Sequence, residues 1–270
     1  MENPVAKVYD ADPEREWMRL ERSAFHMIEF RVTMHYLRKH LRPGSLVLDA
    51  GGGPGRYSLA LCRDGHRVAL LDLSKGLIDW AVTEFQAEPP EVRQRLVSAE
   101  VGDMRDLARF ADGHFDATLC LGGPLSHVPD DAGRRKALSE LVRVTRPGSI
   151  VCISVIGYLA MLRSVLLDFS FELLDPAYVR LRPRGDALMK GNVTHFFRAR
   201  ELEDLCRDAG LLRLDLAGCE GLSSNLEEAT NRLAEDPAKW RAWLDLVLET
   251  ASDPAVADMS EHILYVGRRP

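Results

Sequence analysis

The chain has 270 residues, 46% of them hydrophobic and 28% charged, a balance that supports a full hydrophobic core and excludes wholesale disorder. Its formal net charge of −6 argues against a general nucleic-acid binder, which carries a basic excess. Five scattered cysteines (62, 120, 152, 206 and 219) with no C-x-x-C pair, longest apolar runs, such as Ile150 to Ile156, that are far too short to cross a bilayer, and no basic-then-apolar leader predict a cytoplasmic protein with reduced thiols, no metal, no nucleic acid and no membrane partner.

In chain order, the first forty residues read as helical. Pro13 with Glu14 and Glu16 suits a helix start, Trp17 and Leu20 share a face, and a second helix stops before Arg42-Pro43-Gly44. Ser45 to Ala50 is a compact strand that empties into Gly51-Gly52-Gly53-Pro54-Gly55. A helix over Tyr57 to Arg63 ends at Gly65, a strand covers Arg67 to Leu71, and the next helix carries Leu77, Ile78, Ala81 and Phe85 on one stripe. A weaker strand near Arg95 to Glu100, a buried one over Phe115 to Leu121, a helix from Ala132 to Thr145 and a fifth strand from Ser149 to Val155 complete the alternation. Repeated βα units imply a parallel sheet with helices on both faces. Tyr158 to Leu174 then reads as one apolar helix, followed by an arginine-rich loop at 180, 182 and 184. A helix from Ala199 to Ala209, a strand from Leu211, a well-buried helix with Trp240, Trp243, Leu244, Val247 and Leu248 at helical spacing, and a closing strand from His262 to Gly267 finish the chain.

The densest local signal is Val47-Leu48-Asp49-Ala50-Gly51-Gly52-Gly53-Pro54-Gly55. A strand delivering into such a turn lets backbone approach a ligand where any side chain would collide. Free amides at the following helix start attract a carboxylate or phosphate. A dinucleotide site wants G-x-G-x-x-G, which would put Arg56 where the third glycine belongs. The register present, Gly51-x-Gly53-x-Gly55, suits a ligand with an amino-acid group, and Asp49 can accept from its ammonium or brace the loop. Asp72 ends the second strand about 20 residues on, where an acid binds both ribose hydroxyls; Ser74 competes as the helix cap. Asp103 in Val101-Gly102-Asp103-Met104 can accept from an adenine amine while Met104 covers the ring. Three consecutive strand ends thus describe one extended nucleoside.

These segments, with Phe115 to Leu121, Arg146-Pro147-Gly148 and the later His195-Phe196-Phe197, resemble the class I S-adenosylmethionine-dependent methyltransferases, particularly the small-molecule branch of ubiquinone and menaquinone biosynthesis. The resemblance implies a single domain over 1–270: an α/β, Rossmann-like three-layer αβα sandwich with a mostly parallel seven-stranded sheet whose last strand is antiparallel. It implies S-adenosyl-L-methionine as cofactor, with Asp49, Gly51, Gly53, Asp72, Asp103, Met104 and Leu121 lining it and Gly52, Leu73 and Gly122 beside them. Pro54-Gly55-Arg56 departs from relatives that carry Thr or Ser near the turn.

The acceptor side is read from residues alone. Cys120-Leu121-Gly122-Gly123-Pro124-Leu125-Ser126-His127 leaves the fourth strand where a substrate meets the methyl group. His127 is the candidate general base, because its ordinary pKa lies near neutrality; the alternative is a histidine that bridges loop and helix. An N-terminal helical lid over about 1–43 and a helical insertion over about 157–191 are expected to roof the pocket, with Tyr9, Trp17, His26, Tyr158 and His195 as candidates to face a small-molecule acceptor, alongside Tyr36 and Phe169. A macromolecular (protein or RNA) methyltransferase, a nicotinamide-dependent oxidoreductase and a non-catalytic nucleoside-binding module stand as rivals. A homo-oligomer is compatible with the sequence, which specifies none.

Overall fold

The computed structural model describes residues 3–270; the first two residues of the expected lid lie outside that range. Three helices open it: α1 (Pro4–Asp10), α2 (Pro13–Met18) and α3 (Ala24–His40). Asn3 and Asp12 cap the first two by accepting amide N–H bonds, each with a proline just inside the helix. Then come β1 (Leu46–Ala50), α4 (Arg56–Arg63), β2 (Arg67–Asp72), α5 (Lys75–Gln86), the single turn α6 (Pro90–Arg93), β3 (Leu96–Val101), β4 (Phe115–Cys120), α7 (Asp131–Val144) and β5 (Thr145–Ile156). The predicted stripe of α5 is the one it buries: Leu77, Ile78, Ala81 and Phe85.

Seven strands form one sheet in the order β3-β2-β1-β4-β5-β9-β8, where β8 is Leu212–Gly218 and β9 is His262–Arg268. All neighbours pair in parallel except β9, which runs antiparallel to both β5 and β8. Strands buried on both faces need continuous apolar runs, and β1, β2 and β4 supply them. One core layer packs Ile28, Val32 and Leu37 of α3 with Tyr57 and Leu61 of α4 against the sheet. The other packs Leu138 and Leu141 of α7 with Leu202 and Cys206 of helix Ala199–Asp208. All five cysteines are buried, unpaired thiols.

The segment after β5 departs from the sequence expectation. The apolar run does not make one helix to Leu174. The helix α8 (Tyr158–Leu167) stops at Asp168, and a 3-10 turn covers Ser170–Leu174. Helical spacing persists only where a face is buried, and beyond Val165 the side chains of this run stand in solvent. The arginine-rich stretch is a short helix, α9 (Pro176–Leu181), and a 3-10 turn. It leads into a hairpin of β6 (Asp186–Met189) and β7 (Asn192–His195) within what the sequence suggested was helical or loop. Lys190 and Gly191 both take positive φ (+50° and +78°), the two-residue turn that matches strand twist; Met-Lys-Gly-Asn is a faint signal for it. The closing helices α10 (Ala199–Asp208), α11 (Glu227–Ala234), α12 (Pro237–Thr250) and α13 (Pro254–Met259) flank the sheet. In α12 only Val247 is fully buried, contrary to the expected buried helix: its tryptophans lie half-buried, and Trp243 Nε1 donates to Ser223. No helix among the described residues is long and apolar enough to cross a membrane.

Candidate active site

Strand order reverses between β1 and β4, and the parallel strands end at one edge, which leaves a crevice beyond their carboxyl ends. The cleft there encloses about 1340 Å³ of empty space, mouth included. Its floor is four successive strand exits: Gly51 to Pro54, Asp72 to Ser74, Gly102 to Arg105, and Leu121 with Gly122. Asn3 to Ala6, Tyr9, Glu16, Arg19 and Leu20 cover it from the N-terminal helices, and His127 to Pro129 with Asn192 and Val193 of β7 close one side.

The glycine turn has the conformation expected and a different use of its amides. Gly51, Gly53 and Gly55 take φ of +76°, +56° and +83°, open to glycine at little cost. The amides of Gly51 and Gly52 donate to the Leu71 carbonyl at 2.7 and 3.3 Å, and that of Gly53 donates to Asp72 Oδ2 at 2.8 Å. The turn therefore offers close backbone approach, not a ring of free donors. Asp49 does not line the cleft. It is buried beneath Gly52, where an added Cβ would come within 2.5 Å of its carboxyl carbon. Ser58 donates to its Oδ2 at 2.7 Å, its Oδ1 has no partner, and burial pushes its pKa up to about 6. Of the two roles weighed for it, bracing the loop is the one this position allows.

Asp72 faces the cleft. Its oxygens each accept one backbone amide, from Gly53 and Ser74, both at 2.8 Å, and a carboxylate oxygen retains capacity for another donor. Burial raises its pKa to about 6. Ser74 caps α5 by accepting from Leu77 N–H and donates to Asp10 of α1 at 2.5 Å, while Gly76 N–H donates to the same Asp10 oxygen at 2.7 Å; this pins the N-terminal helices over the floor. Asp103 is clamped by Arg105, whose Nε and Nη2 approach its oxygens at 2.6–3.0 Å. Burial opposes ionisation there, but Arg105 outweighs it and holds the carboxyl below its ordinary value. Leu73, Met104, Leu121 and Gly122 lie on the same floor.

The acceptor candidates divide. Tyr9 and His127 line the cleft and meet each other: Tyr9 Oη lies 3.0 Å from His127 Nε2, and Thr194 Oγ1 is 3.4 Å from Nδ1. His127 thus bridges its loop, α1 and β7, and burial, helped by Lys190, lowers its pKa to about 4. Trp17, His26, Tyr158 and His195 do not line it. Trp17 is buried under the Arg56 guanidinium. His26 is tied to Arg22 and Ser23. Tyr158 donates to the Arg182 carbonyl. His195 is buried between Asp186 and Glu201 at 2.8 and 2.7 Å, fastening the hairpin to α10. Tyr36 is core and Phe169 is exposed. Aromatic side chains fill core by default, and chain order carries no signal of which face the cleft.

A family model described as a methyltransferase domain matches residues 47–148. The ubiquinone biosynthesis O-methyltransferase of Xanthomonas campestris pv. campestris (strain B100) is 31% identical over 177 residues, 65% of this chain and 66% of that enzyme, so just under two thirds of its length is spanned. The magnesium-protoporphyrin O-methyltransferase of Rhodobacter capsulatus is 31% identical over 163 residues, 56% of this chain and 69% of that one.

The chain belongs to the class I S-adenosylmethionine-dependent methyltransferases.

The fold agrees: a crystal structure of an S-adenosylmethionine-dependent methyltransferase from Methanosarcina mazei superposes with a TM-score of 0.60 at 19% identity, covering 87% of this chain and 96% of that one. S-adenosylmethionine is the methyl donor of this family. The cleft fits it on two counts: the bare backbone at Gly53, where an added Cβ would touch nothing nearer than Leu77 at 3.8 Å, and a half-buried carboxylate, Asp72, with acceptor capacity left over.

Sequence reasoning missed a charged network beneath the N-terminal helices. Arg19, on the cleft wall, donates through Nε to Glu16 at 2.7 Å and through Nη1 to buried Glu29 at 2.6 Å. Glu29 lies 3.6 Å from His262 Nδ1, which is 2.7 Å from Glu220. Glu29, Glu220 and His262 present ligand-type atoms within 4.8 Å of one another, but Arg19 and His262 already supply counter-charges, so the cluster stands as ion pairs. The Glu16–Arg19 spacing was visible in the sequence; the partners 10 and 243 residues further along were not. Burial disfavours charge on His262, yet Glu29 and Glu220 outweigh it and raise its pKa to about 9. A basic group whose folded pKa exceeds its unfolded value of about 6.5 stabilises fully below that value and loses the contribution as pH climbs to the folded pKa. The raised carboxyls of Asp49, Asp72 and Glu261 (about 6, 6 and 7) finish titrating lower. Thermal midpoints are therefore expected to fall between pH 7 and 9, and His262→Gln should flatten that slope. An unchanged slope would remove His262 as its cause.

Proposed function

We propose that the chain methylates an oxygen of a small organic acceptor held beside Leu121 and His127, with the cofactor lying across the three strand exits. The observation that carries this is the shared cleft: Gly51–Gly53, Asp72, Asp103–Met104 and Leu121 open onto one space, which Val5, Tyr9, Pro124, Val128 and Val193 continue. In this reading Gly53 gives the methionine end close approach to backbone, Asp72 takes the ribose hydroxyls, and Leu73, Met104 and Leu121 sandwich the base beside Asp103. Arg19 faces the methionine end, where its Nη2 comes within 3.0 Å of a Cβ built on Gly122, and Asp49 braces the turn from behind. The bound cofactor supplies a sulfonium methyl group already activated for transfer. What remains for the protein is alignment and exclusion of water. The N-terminal helices act as the lid, held by Asp10 on the α5 N-terminus, and the insertion contributes the far wall through β7. The apolar side of the cleft and the oxygen acceptors in the two relatives' names support a small acceptor over a macromolecule.

His127 serves as a hydrogen-bonding post. A pKa near 4 makes it a poor base at neutral pH, since a useful base sits near the operating pH. With the cofactor saturating, the pH profile of kcat/KM for the acceptor should show no ionisation near 6.5, and His127→Asn should leave its shape unaltered while raising KM for the acceptor. A limb near 6.5 that vanishes in the variant would restore base catalysis. The function is tested by incubating the chain with methyl-labelled S-adenosylmethionine and a panel of phenols, carboxylates, amines and thiols. Label on an oxygen acceptor supports it; label confined to nitrogen, sulfur or protein overturns it.

A further inference from the structure

In the binding mode proposed for the cofactor, its amino-acid end carries an ammonium and a carboxylate on one carbon, and the glycine turn presents no counter-charge to either. The amides of Gly51, Gly52 and Gly53 are engaged by the Leu71 carbonyl and Asp72, and Asp49 is buried beneath Gly52. Among the described residues three carboxylates line the cleft: Glu16, Asp72 and Asp103. Arg105 clamps Asp103, and both oxygens of Asp72 already accept an amide. Glu16 differs. Its Oε1 accepts from Arg19 Nε at 2.7 Å, while its Oε2 has no hydrogen bond among the described residues. The surrounding charges also favour a cation: Arg19 and His262 face Glu16, Glu29 and Glu220, which leaves a negative charge unmatched on this wall.

The sheet fixes where this pair stands. The strand order runs β2-β1-β4, so the glycine turn lies between Asp72 at the exit of β2 and Gly122 at the exit of β4. Glu16 stands toward β2: α2 packs on α5, and burial first, with the charge of Glu16 adding to it, raises the pKa of both Tyr9 and Asp72. Arg19 stands toward β4, its Nη2 within 3.0 Å of a Cβ built on Gly122. The two side chains span the turn, one charge over each flank. We propose that Glu16 is the ammonium acceptor of the cofactor site, so that the Glu16–Arg19 pair holds the whole zwitterion, ammonium against Glu16 Oε2 and carboxylate against Arg19 Nη2. This rests on the cofactor lying across the three strand exits and adds the residue that Asp49, packed behind the turn, does not supply. Charge-assisted hydrogen bonds are the strong ones, and Glu29 holds the guanidinium from the far side at 2.6 Å, so the pair is preorganised. Both residues belong to the N-terminal lid, which thereby distinguishes an adenosyl amino acid from a nucleoside that lacks one.

The test is calorimetry on the full chain with two ligands: S-adenosylhomocysteine, and the same molecule with hydrogen in place of its α-amino group. Glu16→Gln keeps an acceptor for Arg19 Nε and removes the charge. It is expected to weaken S-adenosylhomocysteine by roughly tenfold, the scale of one charge-assisted bond, and to leave the analogue unchanged. Unchanged binding of the analogue is also the control that the variant is folded. Equal losses for the two ligands, or no loss for either, overturns the proposal. Asp72→Ala reports on the nucleoside placement separately, since it should weaken both ligands alike. If it does so while Glu16→Gln weakens neither, the placement stands and the assignment of Glu16 fails. If Asp72→Ala weakens neither, the placement fails and the assignment with it.

Discussion

Arg19→Leu is expected to destabilise the protein by about 3 kcal/mol, because removing one partner of a buried ion pair leaves the other charge uncompensated. Glu29 is buried, with a side chain 5% exposed against 27% for Arg19, so the stranded carboxylate pays nearly its full desolvation cost while the arginine end already touches the cleft. Burial alone would raise the Glu29 pKa, but Arg19 first and then His262 hold it below its ordinary value; without Arg19 only His262 and, more weakly, His26 oppose that burial. For a chain of this size about 3 kcal/mol corresponds to roughly 6–12 °C in Tm, read by thermal denaturation at pH 7. A second variant separates the pair from the fold. Arg19→Leu/Glu29→Met should recover part of the loss, since apolar replacement of a buried pair is often close to neutral. A single variant that melts with the parent would show that the pair contributes nothing net. The same substitution should weaken S-adenosylhomocysteine binding if Arg19 faces the amino-acid end.

Asp72→Ala is expected to weaken S-adenosylhomocysteine binding by about 1.5–3 kcal/mol, the worth of charge-assisted bonds to ribose, which is roughly 10- to 150-fold in Kd. The residue also holds the glycine turn, so the loss combines missing ligand bonds with a released Gly53 amide. Asp72→Asn separates the two, because an amide oxygen can still accept from one backbone N–H. Its pKa of about 6 adds a sign. In the proposed site the ribose hydroxyls would donate to the ionised form, so affinity should fall as pH drops through 6 in the parent and stay level in Asp72→Asn. Calorimetry between pH 5 and 7, about one unit either side of that value, reads this. Unchanged affinity in Asp72→Ala would remove the residue from the site.

The two predictions fall on different sides of what a sequence discloses. Asp72 was legible because its position follows from local order: an apolar strand, an acid at its end, a helix cap after it. The glycine turn, the acids after β2 and β3, and the apolar exit of β4 were legible for the same reason, and together they marked the fold and the cofactor class. Each signal is short-range, carried by backbone geometry or by burial of one element. Even here local reading had a limit. It left Asp49 open between a ligand contact and a brace for the loop, and the structure packs it under Gly52, because direction out of a strand end depends on what lies across from it.

The amino-acid sequence by itself determined the alternating sheet, the turn conformation that only glycines take at low cost, and the identity of the strand-end acids. Tertiary structure alone decided which N-terminal and insertion residues meet the cleft, that Arg19, Glu29, Glu220 and His262 share one buried site, and that the apolar run after α8 stays in water. The physical reason is separation along the chain. Ion pairs and pocket walls form between residues tens to hundreds of positions apart, and helical periodicity predicts burial only where another element arrives to cover the face.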